Sequence, residues 1–395
     1  MSDPTALIGA WARSAVAPHG GAFRTLHTHE IAAPVVRALL ARAGIGAQAV
    51  DAVVLGNALG AGGNPARMVA LAAGLPERCA AFSVDTQCCS GVDAVSMAVG
   101  LLASGQASVV IAGGVEAWSR APIRQLRPLR EGEPAIAYDR PAFSPDPSRD
   151  PDLLVSAARY AQQHGFSRAE QDAYAVLSHQ RATTHAPILA LEIVPIHDLN
   201  LDAYPRATSL VRAARMPVAV RRASWEDAAW PHPQETADCS VSTLAISARA
   251  DGAALVLLAS SPACKKHGIA PQAAWVTSAS VGCDSATPLI AAEKAAVAAL
   301  LRAGLHSIEG MRVIELHDAF AVQGLSFCKA LGIDPERINR RGGGLARGHP
   351  IGASGAVALV RLLSDLQRDE KPGARGLVAV AGAGGIGAAA ILERF

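Results

Sequence analysis

The chain has 395 residues, 50% hydrophobic and 18% charged, with a formal net charge of +2 and a pI of about 8.2. That length and apolarity allow a large buried core in more than one domain and exclude a disordered chain. The near-balanced charge, with no basic run, gives no footing for nucleic-acid binding, although a local basic patch for an anionic ligand is compatible with it.

The opening Met1-Ser2-Asp3-Pro4 lacks a charged segment followed by an apolar stretch, so no secretory signal is expected. A helical pattern runs from about His29 to Gly44. A strand-like run, Ala52-Val53-Val54-Leu55-Gly56, follows it. Pro65 to Gly74 reads as helix and Phe82-Ser83-Val84 as a short strand, with Cys88 just beyond it. Residues 90–104 carry helical apolar spacing that Gly105 ends. Val109-Val110-Ile111-Ala112-Gly113-Gly114 reads as a buried strand with a glycine turn. Alternating strands and helices predict an α/β layer fold.

From about residue 119 to 240 the pattern changes. Pro and Arg are frequent between Arg120 and Asp152. Residues 153–183 read as two helices, with Ser167 the N-cap of the second, and residues 195–240 are mixed and polar. This stretch is expected to be an insertion forming its own small domain. The α/β pattern returns at about 241. Asp251 to Leu258 reads as turn then strand, 291–303 as helix, Arg312 to Leu316 as a strand running into His317-Asp318-Ala319-Phe320, and 353–367 as helix. Leu377 to Ala381 reads as a buried strand followed by Gly382 to Gly387. The apolar run Gly376 to Leu392 is therefore taken as strand plus turn, and no membrane span is expected.

A weak repeat suggests duplication. Ser90-Gly91 opens a helix leading to the strand that ends at Gly113-Gly114. Ser354-Gly355 opens one leading to the strand that ends at Gly384-Gly385. Two copies of one unit bring their helix N-termini to a shared surface, and so bring Cys88 toward His349.

The chemistry concentrates in Gln87-Cys88-Cys89-Ser90-Gly91 and Gly348-His349-Pro350-Ile351-Gly352-Ala353-Ser354-Gly355. A thiol at a helix start can become a nucleophile, since the helix N-terminus and a nearby imidazole both favour thiolate. A free cysteine is more often a buried structural thiol, and the residues alone leave Cys88 and Cys89 in competition. His349, in a glycine-rich turn, can take a thiol proton and later polarise a carbonyl. His317 and Asp318 end a strand, where α/β folds place ligand groups. His317 can donate to a developing oxyanion, while Asp318 is equally read as a cap of the next helix.

The remaining signals are weak. His27 and His29 flank a helix start and read as solvated, and His164, His179 and His185 show no metal-ligand spacing. No G-x-G-x-x-G opens a helix in dinucleotide-binding context. Gly342-Gly343-Gly344 is open to two readings, a phosphate cradle or a tight turn. Seven cysteines without framework spacing fit a reducing cytoplasm and argue against structural zinc.

Over nearly its whole length the chain resembles the thiolase family. The resemblance rests on Val84 to Val95, Ala112 to Pro122, the helix Phe166 to Ala182, Glu192-Ile193-Val194-Pro195, Asp251-Gly252-Ala253-Ala254, His317-Asp318-Ala319-Phe320 and Gly348 to Gly355. It implies two βαβαβαββ halves in a five-layer αβαβα arrangement with an inserted loop domain. The halves would be 1–118 plus 241–262 and 263–395, and the insertion 119–240. It implies a homodimer or homotetramer acting on coenzyme A thioesters as substrates, with no bound cofactor or metal. In this likeness Cys88 carries the acyl group, His349 activates it and His317 helps form one oxyanion hole. The backbone N–H groups of Cys88 and Ala383 form a second such hole. Ser247 and Arg215 contact CoA.

The departures are specific. The family's late Cys-x-Gly segment, which supplies an acid/base cysteine, reads Ala381-Gly382-Ala383, and the His-Asp-Cys-Phe cysteine of a related branch is Ala319. Ala245-Ile246 precede Ser247 where the family has Asn-Ala. Met216 stands where an arginine is expected. Asp152-Leu153-Leu154 replaces a His-Met-Gly. General acid–base help is worth about 100- to 10,000-fold, so ordinary thiolysis should be impaired. The expected activity is thiolysis of a 3-oxoacyl-CoA or Claisen condensation. The alternatives are acyl transfer to a non-CoA acceptor within a biosynthetic complex, a non-catalytic acyl-CoA-binding homologue, and, more distantly, a Cys–His hydrolase.

Overall fold

The computed structural model describes residues 6–60, 62–220 and 238–395. The first half contains β1 (Leu7–Ser14), β2 (Ala17–Pro18), α1 (Thr28–Ala43), β3 (Ala52–Gly56), α2 (Pro65–Ala73), β4 (Ala80–Val84), α3 (Ser90–Ala103) and β5 (Val109–Ala117). Between β5 and the next long strand come β6 (Arg124–Leu126), β7 (Ile136–Tyr138), α4 (Leu153–His164), α5 (Arg168–Thr184), α6 (Ala186–Leu189), β8 (Ile193–Val194), α7 (Leu210–Ala213), β9 (Val218–Val220) and β10 (Val241–Ser242), of which β8 alone joins the main sheet, parallel to β1. The chain continues with β11 (Ala250–Ala259), α8 (Ser261–His267), β12 (Ala273–Gly282), α9 (Ala291–Arg302), β13 (Met311–His317), α10 (Ala321–Leu331), α11 (Gly344–Arg347), α12 (Ser354–Asp369), β14 (Arg375–Gly382) and β15 (Ile386–Arg394).

Local chemistry sets many of these boundaries. Asn64 caps α2 by accepting the Arg67 N–H, Pro65 occupies its first turn, and Gly74 closes it at φ 81°. Ser167 and Glu170 form the expected capping box on α5. Asp152 caps α4 at Leu154 and Val155.

The strand order is β13-β14-β15-β12-β1-β11-β5-β3-β4. The expected duplication is visible in it. Reading inward from one edge, β4-β3-β5-β11-β1 pairs parallel, parallel, antiparallel, antiparallel. From the other edge, a parallel bridge between Ile338 and Ile314 stands for the missing outer strand, and β13-β14-β15-β12 repeats the senses. The two halves join where equivalent strands β1 and β12 meet antiparallel, at Leu7 with Ala274 and Ile8 with Ala273.

Helices α3 and α12 pack on each other and on strands of both halves, so they form the middle layer of five. Helices α1 and α2 cover the outer face of one sheet, and α9 packs on β12, β14 and β15 outside the other. β11 shows the division. Leu255, Leu257 and Ala259 join the core under α1, while Ala254, Val256 and Leu258 join the central core with Val92, Leu359 and Val360. Each such leucine or valine contributes roughly 1.5–3 kcal/mol on burial.

Two sequence expectations are corrected. Gly113-Gly114 and Asp251-Gly252 are not turns; both pairs lie inside the long antiparallel ladder of β5 with β11. Gly113 and Gly114 serve close backbone approach, the first to Ala254 and the second to Gly352. Of the mixed segment 195–240, residues 221–237 lie outside the described residues.

Candidate active site

Cys88 sits on the turn between β4 and α3, just ahead of the N-cap Cys89. Gln87 before it has φ 54°, a left-handed conformation that costs a non-glycine residue about 1–2 kcal/mol. Asp85 Oδ1 supports it by accepting from Gln87 N at 2.9 Å and Nε2 at 3.0 Å, and Ser90 Oγ donates to Gln87 O at 2.5 Å. The strained turn aims Cys88 into a cleft of about 840 Å³. Cys89 goes the other way. It is 1% exposed, with its sulfur 3.6 Å from the carbonyls of Val380 and Ile386.

His349 arrives from the other half. Its backbone N–H donates to Ala248 O at 2.7 Å, which pins the loop to the segment leading into β11. Its Nε2 lies 3.1 Å from Cys88 Sγ. On the far side, Nδ1 is hydrogen-bonded to His317 Nε2, with Ser354 Oγ at 3.4 Å. If Nε2 is to accept the thiol proton, Nδ1 carries hydrogen and donates it to His317 Nε2.

Burial dominates the electrostatics. It pushes the Cys88 thiol up to about 12, against the lowering pull of the Ala383 and Cys88 backbone N–H groups. It holds His349 down to about 4 and His317 well below its ordinary value. Burial thus opposes the charge on both groups and works against the pull of the helix N-terminus toward thiolate.

The other expected residues divide. Ala383 lines the cleft, and its backbone N–H and that of Cys88 both act on the Cys88 sulfur. Ser247 also lines the cleft, with its hydroxyl donating to Gly344 O at 2.6 Å. Arg215 is exposed beyond α7 and does not line the cleft. His317 is 3% exposed, does not line the cleft and turns its Nε2 to His349. An oxyanion contact from His317 is thus corrected to a contact through His349. Asp318 neither faces the cleft nor caps α10. It accepts from Tyr174 Oη at 2.9 Å, Asn339 Nδ2 at 3.1 Å and Leu345 N at 3.2 Å, tying α5 and α11 to the end of β13. Gly342-Gly343-Gly344 is no open cradle, since Gly343 N donates to Ser178 Oγ at 2.9 Å and a methyl on Gly343 would stand 2.3 Å from Asp318 Oδ1.

Ala381 and Ala319, where the resemblance expects a second cysteine, both line the cleft, and their side chains are methyl groups. Sequence reasoning missed Glu116. This fully buried carboxylate accepts from Asn57 Nδ2 at 2.9 Å, Ala58 N at 3.0 Å and Gly352 N at 3.0 Å, and burial raises it to about 7. It braces the His349 loop against the first half. The available signal was an acid inside an otherwise apolar strand. Trp118 and Arg249, which line the cleft beside His349, were also passed over. Among the described residues no group of His, Cys, Asp or Glu could hold a metal ion, and no helix is long and apolar enough to cross a membrane.

Comparison with known proteins agrees with this architecture. Residues 6–261 match the thiolase N-terminal domain and residues 269–394 the thiolase C-terminal domain. The chain is 34% identical to an acetyl-CoA acetyltransferase of Rhizobium meliloti (strain 1021), covering 100% of both chains. It is 32% identical to the cytosolic acetyl-CoA acetyltransferase of Rattus norvegicus, covering 100% of this chain and 99% of that one. The fold superposes on the Bacillus anthracis acetyl-CoA acetyltransferase with a TM-score of 0.87 at 29% identity, covering 99% of each chain. It superposes on human mitochondrial 3-ketoacyl-CoA thiolase in complex with CoA with a TM-score of 0.88 at 27% identity, covering 99% of this chain and 98% of that one.

Proposed function

The chain belongs to the thiolase family and is an acyl-CoA acyltransferase, and we propose that it works through an acyl thioester on Cys88. The observation that carries this reading is the 3.1 Å approach of Cys88 Sγ to His349 Nε2 inside the cleft. In the first step Cys88 sulfur attacks the acyl carbonyl of an acyl-CoA while His349 Nε2 takes the thiol proton. His317 Nε2 accepts the Nδ1 hydrogen of His349, which steadies the imidazolium and fixes its ring. His317 is thus a positioning residue. The backbone N–H groups of Cys88 and Ala383 receive the carbonyl oxygen. His349 then gives its proton to the departing CoA sulfur.

The second step moves the acyl group to a carbon nucleophile, which makes a carbon–carbon bond; in the thiolysis direction Cys88 instead attacks the 3-oxo carbonyl, the carbon–carbon bond breaks as acyl-Cys88 forms, and CoA sulfur then takes the acyl group. The methyl groups of Ala319 and Ala381 favour a second reading of this step. Without an acid/base there, the preferred acceptor is one that needs no α-proton removed by the enzyme, within or outside a larger complex. Ser247 at the cleft wall and Arg215 outside it are carried forward as CoA contacts. A homodimer or homotetramer belongs to the same proposal and is tested by light scattering; a cytoplasmic location is supported by the seven free cysteines.

Intact-mass spectrometry after incubation with a panel of acyl-CoAs tests the reading. A stable adduct lost in Cys88→Ser supports acyl transfer. No adduct on any acyl-CoA supports a binding-only homologue, and steady release of free acid supports hydrolysis.

A further inference from the structure

We propose that Arg249 and Trp118 form a recognition pair for the acyl acceptor, and that this acceptor is a planar organic anion, an enolate or phenolate whose carbon attacks acyl-Cys88. The proposal rests on the acyl-Cys88 reading and names the acceptor class for it. Arg249 lines the cleft, and its guanidinium carbon lies 5.2 Å from the centre of the Trp118 ring. That ring lies 6.5 Å from the His349 ring, tilted by 57°. The backbone links the same residues, because Arg249 and His349 pair in a parallel bridge. Cation, flat indole and imidazole therefore follow one another along one wall that leads to the sulfur.

The cation is available. Its ion-pair partner, Asp139, stands 3.8 Å away, and the two side chains are 60% and 91% exposed. An ion pair this exposed is weak and exchanges readily for another anion. The neighbouring cleft arginines are engaged: Arg140 with Asp150, and Arg124 with the Leu59 carbonyl at 3.2 Å.

The cleft gives the cation a use. Of the carboxylates lining the cleft, Asp152 is held as the cap of α4 and Asp139 pairs with Arg249, while Ala319 and Ala381 are methyls, so the described cleft residues offer no unpaired carboxylate or second thiol to make a carbanion. A carbon acceptor must bring its charge with it. The enolate of a 1,3-dicarbonyl compound does so near neutral pH. Its flat, delocalised anion suits an indole face bordered by a guanidinium. The phosphates of CoA lie at the far end of the pantetheine arm from sulfur, so a cation beside His349 is placed for a different anion.

The step balances. The enolate carbon attacks the thioester carbonyl, the new C–C bond forms, and the C–S bond breaks to give the Cys88 thiolate. The acylated carbon now carries an acidic C–H. His349 Nε2 takes that proton and passes it to the sulfur, leaving the product as an enolate and Cys88 as thiol.

The test acetylates wild type and variants with acetyl-CoA, confirms equal loading by intact mass, and removes free CoA. Discharge is then followed with 1,3-cyclohexanedione and with its uncharged O-methyl enol ether. We expect the dione, and not the ether, to discharge the wild type with formation of 2-acetyl-1,3-cyclohexanedione. Arg249→Gln should raise the half-saturating dione concentration by about tenfold or more, the loss of one charge-assisted contact. Arg249→Lys should recover part of it, and Trp118→Leu should weaken it. Equal saturation of wild type and Arg249→Gln overturns the proposal. Failure to load overturns the Cys88 reading instead. In that case quenching of Trp118 fluorescence by the dione, absent in Trp118→Phe, still decides whether the pair binds a planar anion, and quenching unchanged in Arg249→Gln counts against it.

Discussion

Gly114 and Gly352 meet backbone to backbone: a methyl group on Gly114 would stand 2.1 Å from the Gly352 carbonyl oxygen. Gly114 belongs to β5 of one half, and Gly352 lies at the foot of α12 in the other. Glu116, two residues beyond Gly114, accepts the Gly352 N–H. This contact sets how close the His349 loop can come to the Cys88 turn.

Gly114→Ala should therefore lower stability by about 1–3 kcal/mol through overpacking. It should also slow acyl loading of the protein that remains folded, because the loop must retreat. Gly100→Ala, on α3 with open space around the added methyl, is the control and should be neutral or stabilising. Denaturant titration with intact-mass loading checks both. A Gly114→Ala protein as stable and as active as Gly100→Ala would dismiss the contact.

Cys88→Ser should give no acyl adduct, whereas Cys89→Ser should load at close to the normal rate. The basis is orientation, since only the first sulfur faces the cleft and Cys89 points at the Val380 and Ile386 carbonyls. Equal loading of the two serine variants would refute the choice of nucleophile.

Removing the imidazole in His349→Ala should slow loading by about 100- to 10,000-fold. His317→Ala should cost less, about 10- to 100-fold, since it acts through Nδ1 of His349. His317→Asn, which can also accept that hydrogen, should restore part of the loss. If His317 only fills space, His317→Leu will rescue as well as His317→Asn, and that result would end the positioning role.

The pH dependence follows from burial. His349 is held down to about 4 from an ordinary 6.5, and His317 is lowered too. The unfolded chain takes up these protons as pH falls below 6.5, while the folded protein does not until about 4. Stability should thus decline across that window and is fully present above it. Loading needs neutral His349, so its rate should be flat from neutral pH down to near 5 and fall along an acid limb near 4. Because the thiol is held up toward 12, alkylation of Cys88 by iodoacetamide should be slow at pH 7 and rise with pH. Fast alkylation that is level with pH would show a resting thiolate.

Ala381→Cys should raise thiolysis of a 3-oxoacyl-CoA, by up to about 100-fold if the thiol reaches the substrate, because it returns an acid/base to the cleft wall. Steady-state thiolysis of the folded variant checks this. An unchanged rate would mean that the missing cysteine is not what limits the reaction.

Much of this protein was legible in the chain. The helix ends at Gly44 and Gly74, the cap Ser167, the apolar strand 52–56 and the strand beginning at Val109 are local matters of turn chemistry and periodicity. So are the segments around Cys88 and His349, which carry the family resemblance. The two methyls at 319 and 381 are also a plain reading of the sequence.

Tertiary structure alone decided the rest, because it depends on groups far apart in sequence. Gly113 and Gly114 read as a turn until β11 is laid against β5. Asp318 reads as a cap of α10 until Tyr174, Asn339 and Leu345 converge on it from three other segments. The chain put a thiol at a helix start and so suggested a thiolate. Burial by both halves, a quantity no local pattern contains, works against that charge, raising the thiol and lowering the imidazole. Composition and spacing fix which side chains are present and which element each belongs to. Desolvation and cross-half packing fix which of them carry charge and which of them meet.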